Sequence, residues 1–161
     1  MIKFIIAIAV VVFSTYIGRL FSRRYKRRKD FFQAFDSFNH RFLSELGYSK
    51  RPIGELCASL QGKGEFSELV NTVISNRVAR RSSPIDLGEY QFLSQEEKGF
   101  TSEYFSVFGK GDTASQKGYF TQAGNSITSL KRKAEEDYKK YSDLYTKLGF
   151  LCGLAIMVIL V

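Results

Sequence analysis

Apolar positions along this chain follow three patterns, and each predicts a different kind of helix. The first is a run. Phe4 to Phe13 is unbroken apolar sequence, followed by Ser14-Thr15-Tyr16-Ile17-Gly18, with Lys3 the single charge before Arg19. Sequence that is apolar all round belongs in lipid or in a deep core. The second pattern is a stripe. Phe31, Phe35, Phe38, Phe42 and Leu46 recur in steps of four and three, with Asp36, Asn39, Arg41 and Glu45 between them. That spacing keeps the aromatic rings on one face of an amphipathic helix. Gly47 is suited to end it, because a glycine adopts the left-handed C′ conformation without strain.

The third pattern joins the other two. Gly109-Lys110-Gly111-Asp112-Thr113 reads as a helix start in which the Asp112 carboxylate accepts from the free N–H groups of the first turn. Phe120, Ala123, Ile127, Leu130, Ala134, Tyr141, Leu144 and Leu148 then hold one face, with Asp137 the one interruption. From Gly149 the sequence is apolar on every side. A continuous helix from Asp112 onward would run roughly 75 Å at about 1.5 Å per residue, too long for a compact domain of this size and natural for a rod entering a bilayer.

Shorter elements are expected in between. Pro52 suits a first helical turn, with Leu56 and Leu60 on the inner face. Gly62-Lys63-Gly64 is a turn. Phe66, Leu69, Val70, Val73, Ile74 and Val78 then mark a short helix reaching about Arg80. Ser82-Ser83-Pro84 breaks the chain. Ser94-Gln95-Glu96-Glu97 looks like a helix beginning with acids in its first turn, carried to Gly109 by Phe100, Tyr104, Phe105 and Phe108. No useful run has the strand period, and no internal repeat appears. The expected fold is therefore all-α: a helical bundle domain between an N-terminal and a C-terminal membrane helix. The expected divisions are a membrane helix over 1–21, a basic segment over 22–29, a cytoplasmic helical domain over 30–143 and a second membrane helix over 144–161.

Composition sharpens this picture in two places. With no Trp, two Pro and fifteen Phe, the core has to be built largely from phenylalanine. The formal charge of +8 is concentrated in Arg19, Arg23, Arg24, Lys26, Arg27, Arg28 and Lys29, with no acid among them before Asp30. A cleaved signal peptide does not fit. The A-x-A at Ala7-Ile8-Ala9 lies inside the apolar run, and a basic block follows where an exported protein would begin. By the positive-inside rule this block stays in the cytoplasm, so both termini are expected outside and Asp30 to Lys147 inside. The block is read first as a membrane-surface segment on anionic lipid, worth about 1 kcal/mol per basic residue. Nucleic acid is not the expected partner, since no RNP, zinc-knuckle or helix-turn-helix pattern follows it. Cys57 and Cys152 fall in different phases and make no disulfide framework.

Little in the sequence offers chemistry. His40 is the one histidine and has no ligand or triad partners, so neither a metal site nor a cofactor is expected. The two glycine-lysine spots lack the order of a phosphate-binding loop, and neither follows a strand. No acid pair or nucleophile elbow stands out, so the chain is not read as an enzyme. The most informative constellation is Phe108-Gly109-x-Gly111-Asp112-x-x-x-Gln116. A well-capped helix accounts for Gly109, Gly111 and Asp112. Gln116, one turn on and expected to be exposed, could extend Asp112 into a polar partner-binding patch.

These features resemble the stage III sporulation protein AB family of endospore-forming bacteria. The likeness consists of the N-terminal membrane helix, Glu45-Leu46-Gly47-Tyr48 leading to Pro52-Ile53-Gly54-Glu55-Leu56, the Gly-x-Gly-Asp-x-x-x-Gln helix start, and a long charged helix ending in Leu148-Gly149-Phe150-Leu151-x-Gly153. Gly47 departs from the aliphatic residue usual at that position. The resemblance implies a subunit of the channel complex linking mother cell and forespore, similar to the inner-membrane platform protein of type II secretion and type IV pilus machines. It also implies a cell-membrane location with the central domain on the mother-cell side. The implied partners are the sporulation ATPase, stage III sporulation protein AA, and other membrane subunits; self-association stays open. The alternative function is a membrane-tethered protein whose basic segment holds nucleic acid or anionic lipid.

Overall fold

The computed structural model of the chain describes residues 2–48, 64–78, 85–108 and 113–160. Four helices account for most of them: α1 over Ile2–Tyr48, α2 over Glu65–Val78, α3 over Gln95–Val107 and α4 over Thr113–Leu160. No strand occurs among the described residues. The fold is all-α with a long C-terminal helix, as the periodicity predicts. The helix expected after Pro52, the Ser82-Ser83-Pro84 break, and Cys57 lie outside the described residues.

Local chemistry sets the helix starts. Gly64 precedes α2 at φ 113°, a left-handed value that a side chain would strain. In that conformation its carbonyl accepts from the N–H groups of Ser67 and Glu68 at 3.0 and 3.2 Å. At α3 the Ser94 hydroxyl accepts from the Glu97 N–H at 3.2 Å, and the Ser94 N–H donates to the Glu97 carboxylate at 2.8 Å. This is a full capping box, and it explains why Glu97 is buried although charged. α1 runs one residue past the predicted stop at Gly47.

The chain divides into two units. One is a helix pair, Met1–Lys29 with Lys133–Val161, and the other a central domain, Asp30–Arg132. The core of the central domain is aromatic. From α1 come Phe31, Phe35, Phe38 and Phe42, the predicted stripe; from elsewhere Phe66, Tyr104, Phe105, Phe108 and Phe120, all buried. Phe35 stacks on Phe66 at 4.8 Å and meets the Tyr104 ring edge-on at 4.7 Å. Phe42 stacks on Phe108 at 4.6 Å and meets Phe120 edge-on at 5.0 Å. Such pairs add about 0.5–1.5 kcal/mol to the burial of the rings themselves. Phe32, off the predicted stripe, is also fully buried, while Leu46 is only half-buried. In this domain α1 and α4 run antiparallel, with Asp36 against Lys131 and Phe42 against Phe120, so the two predicted stripes do face each other.

Candidate functional site

The helix pair is held together by glycine. A β-carbon on Gly149 would lie 2.7 Å from the Ser14 carbonyl oxygen, and one on Gly153 would lie 2.8 Å from the Val11 Cα. On α1, Gly18 is buried, and a β-carbon on it would run into the Tyr145 carbonyl and lie 3.4 Å from the Gly149 Cα. The Ser14 hydroxyl donates to the Gly149 carbonyl at 2.7 Å. Gly149 and Gly153 form the small-x-x-x-small spacing by which helices approach closely where apolar burial supplies no force between them. With glycines turned inward, the large side chains point out. Phe13 and Phe21 are 66% and 63% exposed, and Val158 and Ile159 78% and 83%. Among the described residues every exposed large apolar side chain lies in this pair. One helix there, α4, is long and apolar enough to cross a membrane, and its apolar stretch is only 6% buried.

Where the apolar sequence ends, aromatic and basic residues begin. Tyr25 stacks on Tyr141 at 4.8 Å, and Phe21 lies 6.0 Å from Tyr145. Aromatic rings of this kind collect at membrane–water interfaces. Arg19, Arg23, Arg24, Lys26 and Arg27 are exposed. Arg28 is not: its guanidinium donates to the Asp137 carboxylate at 2.7 Å and its side chain is 13% exposed. Lys29 lies 4.7 Å over the Tyr138 ring. Five of the seven basic residues are thus exposed, while Arg28 and Lys29 also contact residues of α4. Arg28 belongs to an interhelical ion pair, which also explains why Asp137 interrupts the α4 stripe. The pair holds twelve Lys or Arg and four Asp or Glu, the central domain twelve of each, so the whole net charge of +8 belongs to the pair.

Polar side chains inside the central domain join its helices. Asn39, 1% exposed, receives the Tyr104 hydroxyl on Oδ1 at 2.9 Å and donates from Nδ2 to the Phe120 carbonyl at 3.3 Å. It thereby ties α1 to α3 and α4. Gly124 makes room for it, since a β-carbon there would stand 2.7 Å from Nδ2. One turn earlier Asp36 accepts from Lys131 Nζ at 2.8 Å and from the Thr128 hydroxyl at 3.0 Å, with His40 Nε2 at 3.6 Å. Burial pushes the Asp36 carboxyl up. The bonds from Lys131 and Thr128, together with the charges on Lys131 and His40, outweigh it and hold the group below the usual carboxylate range. These arrangements position helices.

Of the residues nominated as a partner-binding patch, Gly109, Gly111 and Asp112 lie outside the described residues. Gln116 is described and is 4% exposed, so the expectation of an exposed Gln116 is corrected: it faces the core beside the turn that carries Phe120. His40 is an exposed side chain near Asp36, and no cluster of three metal-ligating residues occurs among the described residues.

Sequence reasoning missed Gly18, Gly149 and Gly153 as contact residues, although the four-residue spacing of the last two was readable. Asn39 and Asp36 gave no such signal, because their partners come from a helix about ninety residues away. No curated protein and no solved structure matches the chain. A family model does match it, over residues 3–161, and on that match the chain belongs to the stage III sporulation protein AB family.

Proposed function

We propose that this protein is a non-enzymatic platform subunit of a sporulation channel complex. In this reading the helix pair anchors it in the mother-cell membrane as two spans, and the central domain, on the cytoplasmic side, couples a secretion-type ATPase, stage III sporulation protein AA, to other membrane subunits. The observation that carries the membrane half is the partition of apolar surface: the helix pair turns its large apolar side chains outward, while the central domain buries its aromatic rings. Outward apolar surface on that scale marks a membrane or partner contact. The exposed basic residues from Arg19 to Arg27 then lie at the anionic cytoplasmic leaflet. The ATPase half rests on the family match together with the resemblance to secretion platforms drawn above from the sequence.

Two measurements test it. Full-length protein in lipid nanodiscs should co-elute with the ATPase, and the basic block should not be needed for that. Single cysteines at Ser49 or Ser83, with the native cysteines replaced, should resist a membrane-impermeant thiol reagent in intact cells. Ready labelling reverses the orientation, and failure to co-elute removes the ATPase from the scheme.

A further inference from the structure

We infer that the helix pair is built for a thin membrane: the lipid partner it fits is a bilayer whose hydrocarbon core is close to ~22 Å, well below the ~30 Å of an average bilayer. This rests on the membrane reading above and adds to it a property of the lipid. On α1 the uncharged interval runs from Phe4 to Gly18, between Lys3 and Arg19. That is fifteen residues, or ~22 Å of helix at ~1.5 Å per residue, below the ~17–25 residues that a span normally needs.

α4 shares the same lower edge. Its last charge before the apolar stretch is Lys147. Gly18 packs beside Tyr145 and Gly149, whose carbonyl and Cα a β-carbon on it would meet, and this sets Arg19 and Lys147 at one level across the pair. Both side chains are exposed. Going up from that level, the register holds without a slip: Gly149 meets Ser14 and Thr15, and Gly153 meets Val11. Eight residues beyond Val11, α1 reaches Lys3.

Two ways of relieving the mismatch fail here. Tilting shortens the projected length and makes it worse. Sliding one helix past the other would drive Gly149 and Gly153 off their backbone contacts. Snorkelling of Arg19 and Lys147 adds only a few ångströms of reach. What is left is a bilayer that is thin, or is thinned around the pair.

The test reconstitutes the full chain into vesicles of monounsaturated phosphatidylcholine with acyl chains of about 14, 16, 18, 20 and 22 carbons. The fraction resisting alkaline extraction is measured. Retention should peak at the shortest chains and fall several-fold by the longest. Arg19→Leu with Lys147→Leu moves the next charges to Arg23 and Asp143, one turn away on each helix. The peak should then shift toward thicker bilayers by about 5–6 Å, the pitch of that turn. The conservative pair Arg19→Lys with Lys147→Arg should leave it in place. Equal retention at every thickness, a wild-type peak at about 18 carbons or more, or no shift in the leucine variant overturns the inference while leaving membrane insertion standing. A chain that fails to be retained in any lipid overturns the membrane reading itself.

Discussion

The helix pair and the central domain are built from the same two long helices by opposite rules. In the central domain Phe35 and Phe42 are wholly buried; in the pair Phe13 and Phe21 are 66% and 63% exposed, and it is Gly18 and Gly153 that are buried. On the membrane function proposed above, the difference follows from the solvent each region meets. Against water, burying a phenylalanine is worth roughly 1.5–3 kcal/mol, so size goes inward. Against lipid, the solvent proposed above for the pair, that gain would vanish, leaving close backbone approach and bonds such as Ser14 to Gly149 to hold the helices together. Residue type alone therefore does not say which way a side chain points; the surroundings of the helix do.

The largest effect that can break this comparison comes from the same substitution made in both regions. Phe35→Ala removes a ring packed against Phe66, Tyr104 and Phe105. It should cost on the order of 3–5 kcal/mol, a large share of the stability of a small domain. Phe38→Ala belongs to the same class. Phe13→Ala, made on an outward ring, should leave thermal unfolding of the reconstituted protein unchanged within error. Equal losses at Phe35 and Phe13 would mean that the pair has a buried face of its own and that the contrast fails.

Enlarging glycine should reverse the order of sensitivity. Gly149→Val puts its added atoms into the Ser14 backbone, which cannot give way as a side chain can. Overpacking of this kind costs about 1–3 kcal/mol, and disulfide crosslinking between cysteines placed on the two helices of the pair should fall accordingly. Gly124→Ala in the central domain pushes on the end of Asn39 and should cost about 1–2 kcal/mol, mainly through the bond to the Phe120 carbonyl. Gly118 has nothing within 4 Å of its would-be β-carbon. Gly118→Ala should accordingly stabilise α4 by about 0.5–1 kcal/mol. No loss from Gly149→Val would show that the helices of the pair do not meet at this crossing.

What could be read from the sequence is what local signals encode. The phenylalanine stripe from Phe31 to Phe42 and the start at Ser94 are set by residues within a turn or two of one another, and both stand in the structure as the spacing predicts. The burial of Asp36, Asn39 and Gln116 was not readable in that way. Periodicity sorts polar from apolar, whereas these three are polar residues on a buried face, kept there in the first two cases by Lys131, Thr128, Tyr104 and the Phe120 carbonyl. The Arg28 ion pair was hidden for a related reason. A run of basic residues looks uniform in sequence, but the partner that singles one of them out, Asp137, is on the other long helix. In the pair the glycines were visible and were passed over, because an apolar run hides which of its positions touch the neighbouring helix.

The smallest expected effect separates an ion pair in each region. Lys147 and Asp143 lie one turn apart on α4, 69% and 64% exposed, and such pairs contribute little. Asp143→Asn should leave stability unchanged. Asp36 is 10% exposed, and it joins two helices through Lys131 and Thr128. Its folded-state pKa is lowered, so the native state holds its proton less tightly than the unfolded chain. The stability this contributes is complete above the unfolded value near ~3.9 and is lost as pH falls through the folded value. Because the Lys131 ammonium is 30% exposed, solvent screening keeps the contribution modest. Urea unfolding of wild type should therefore weaken as the solution is acidified from pH ~5 to ~3, and in Asp36→Asn that fall should be shallower. If the variant keeps the full acid slope, the carboxylates responsible lie elsewhere, and Asp36 holds α1 to α4 through hydrogen bonds that an amide can supply equally well.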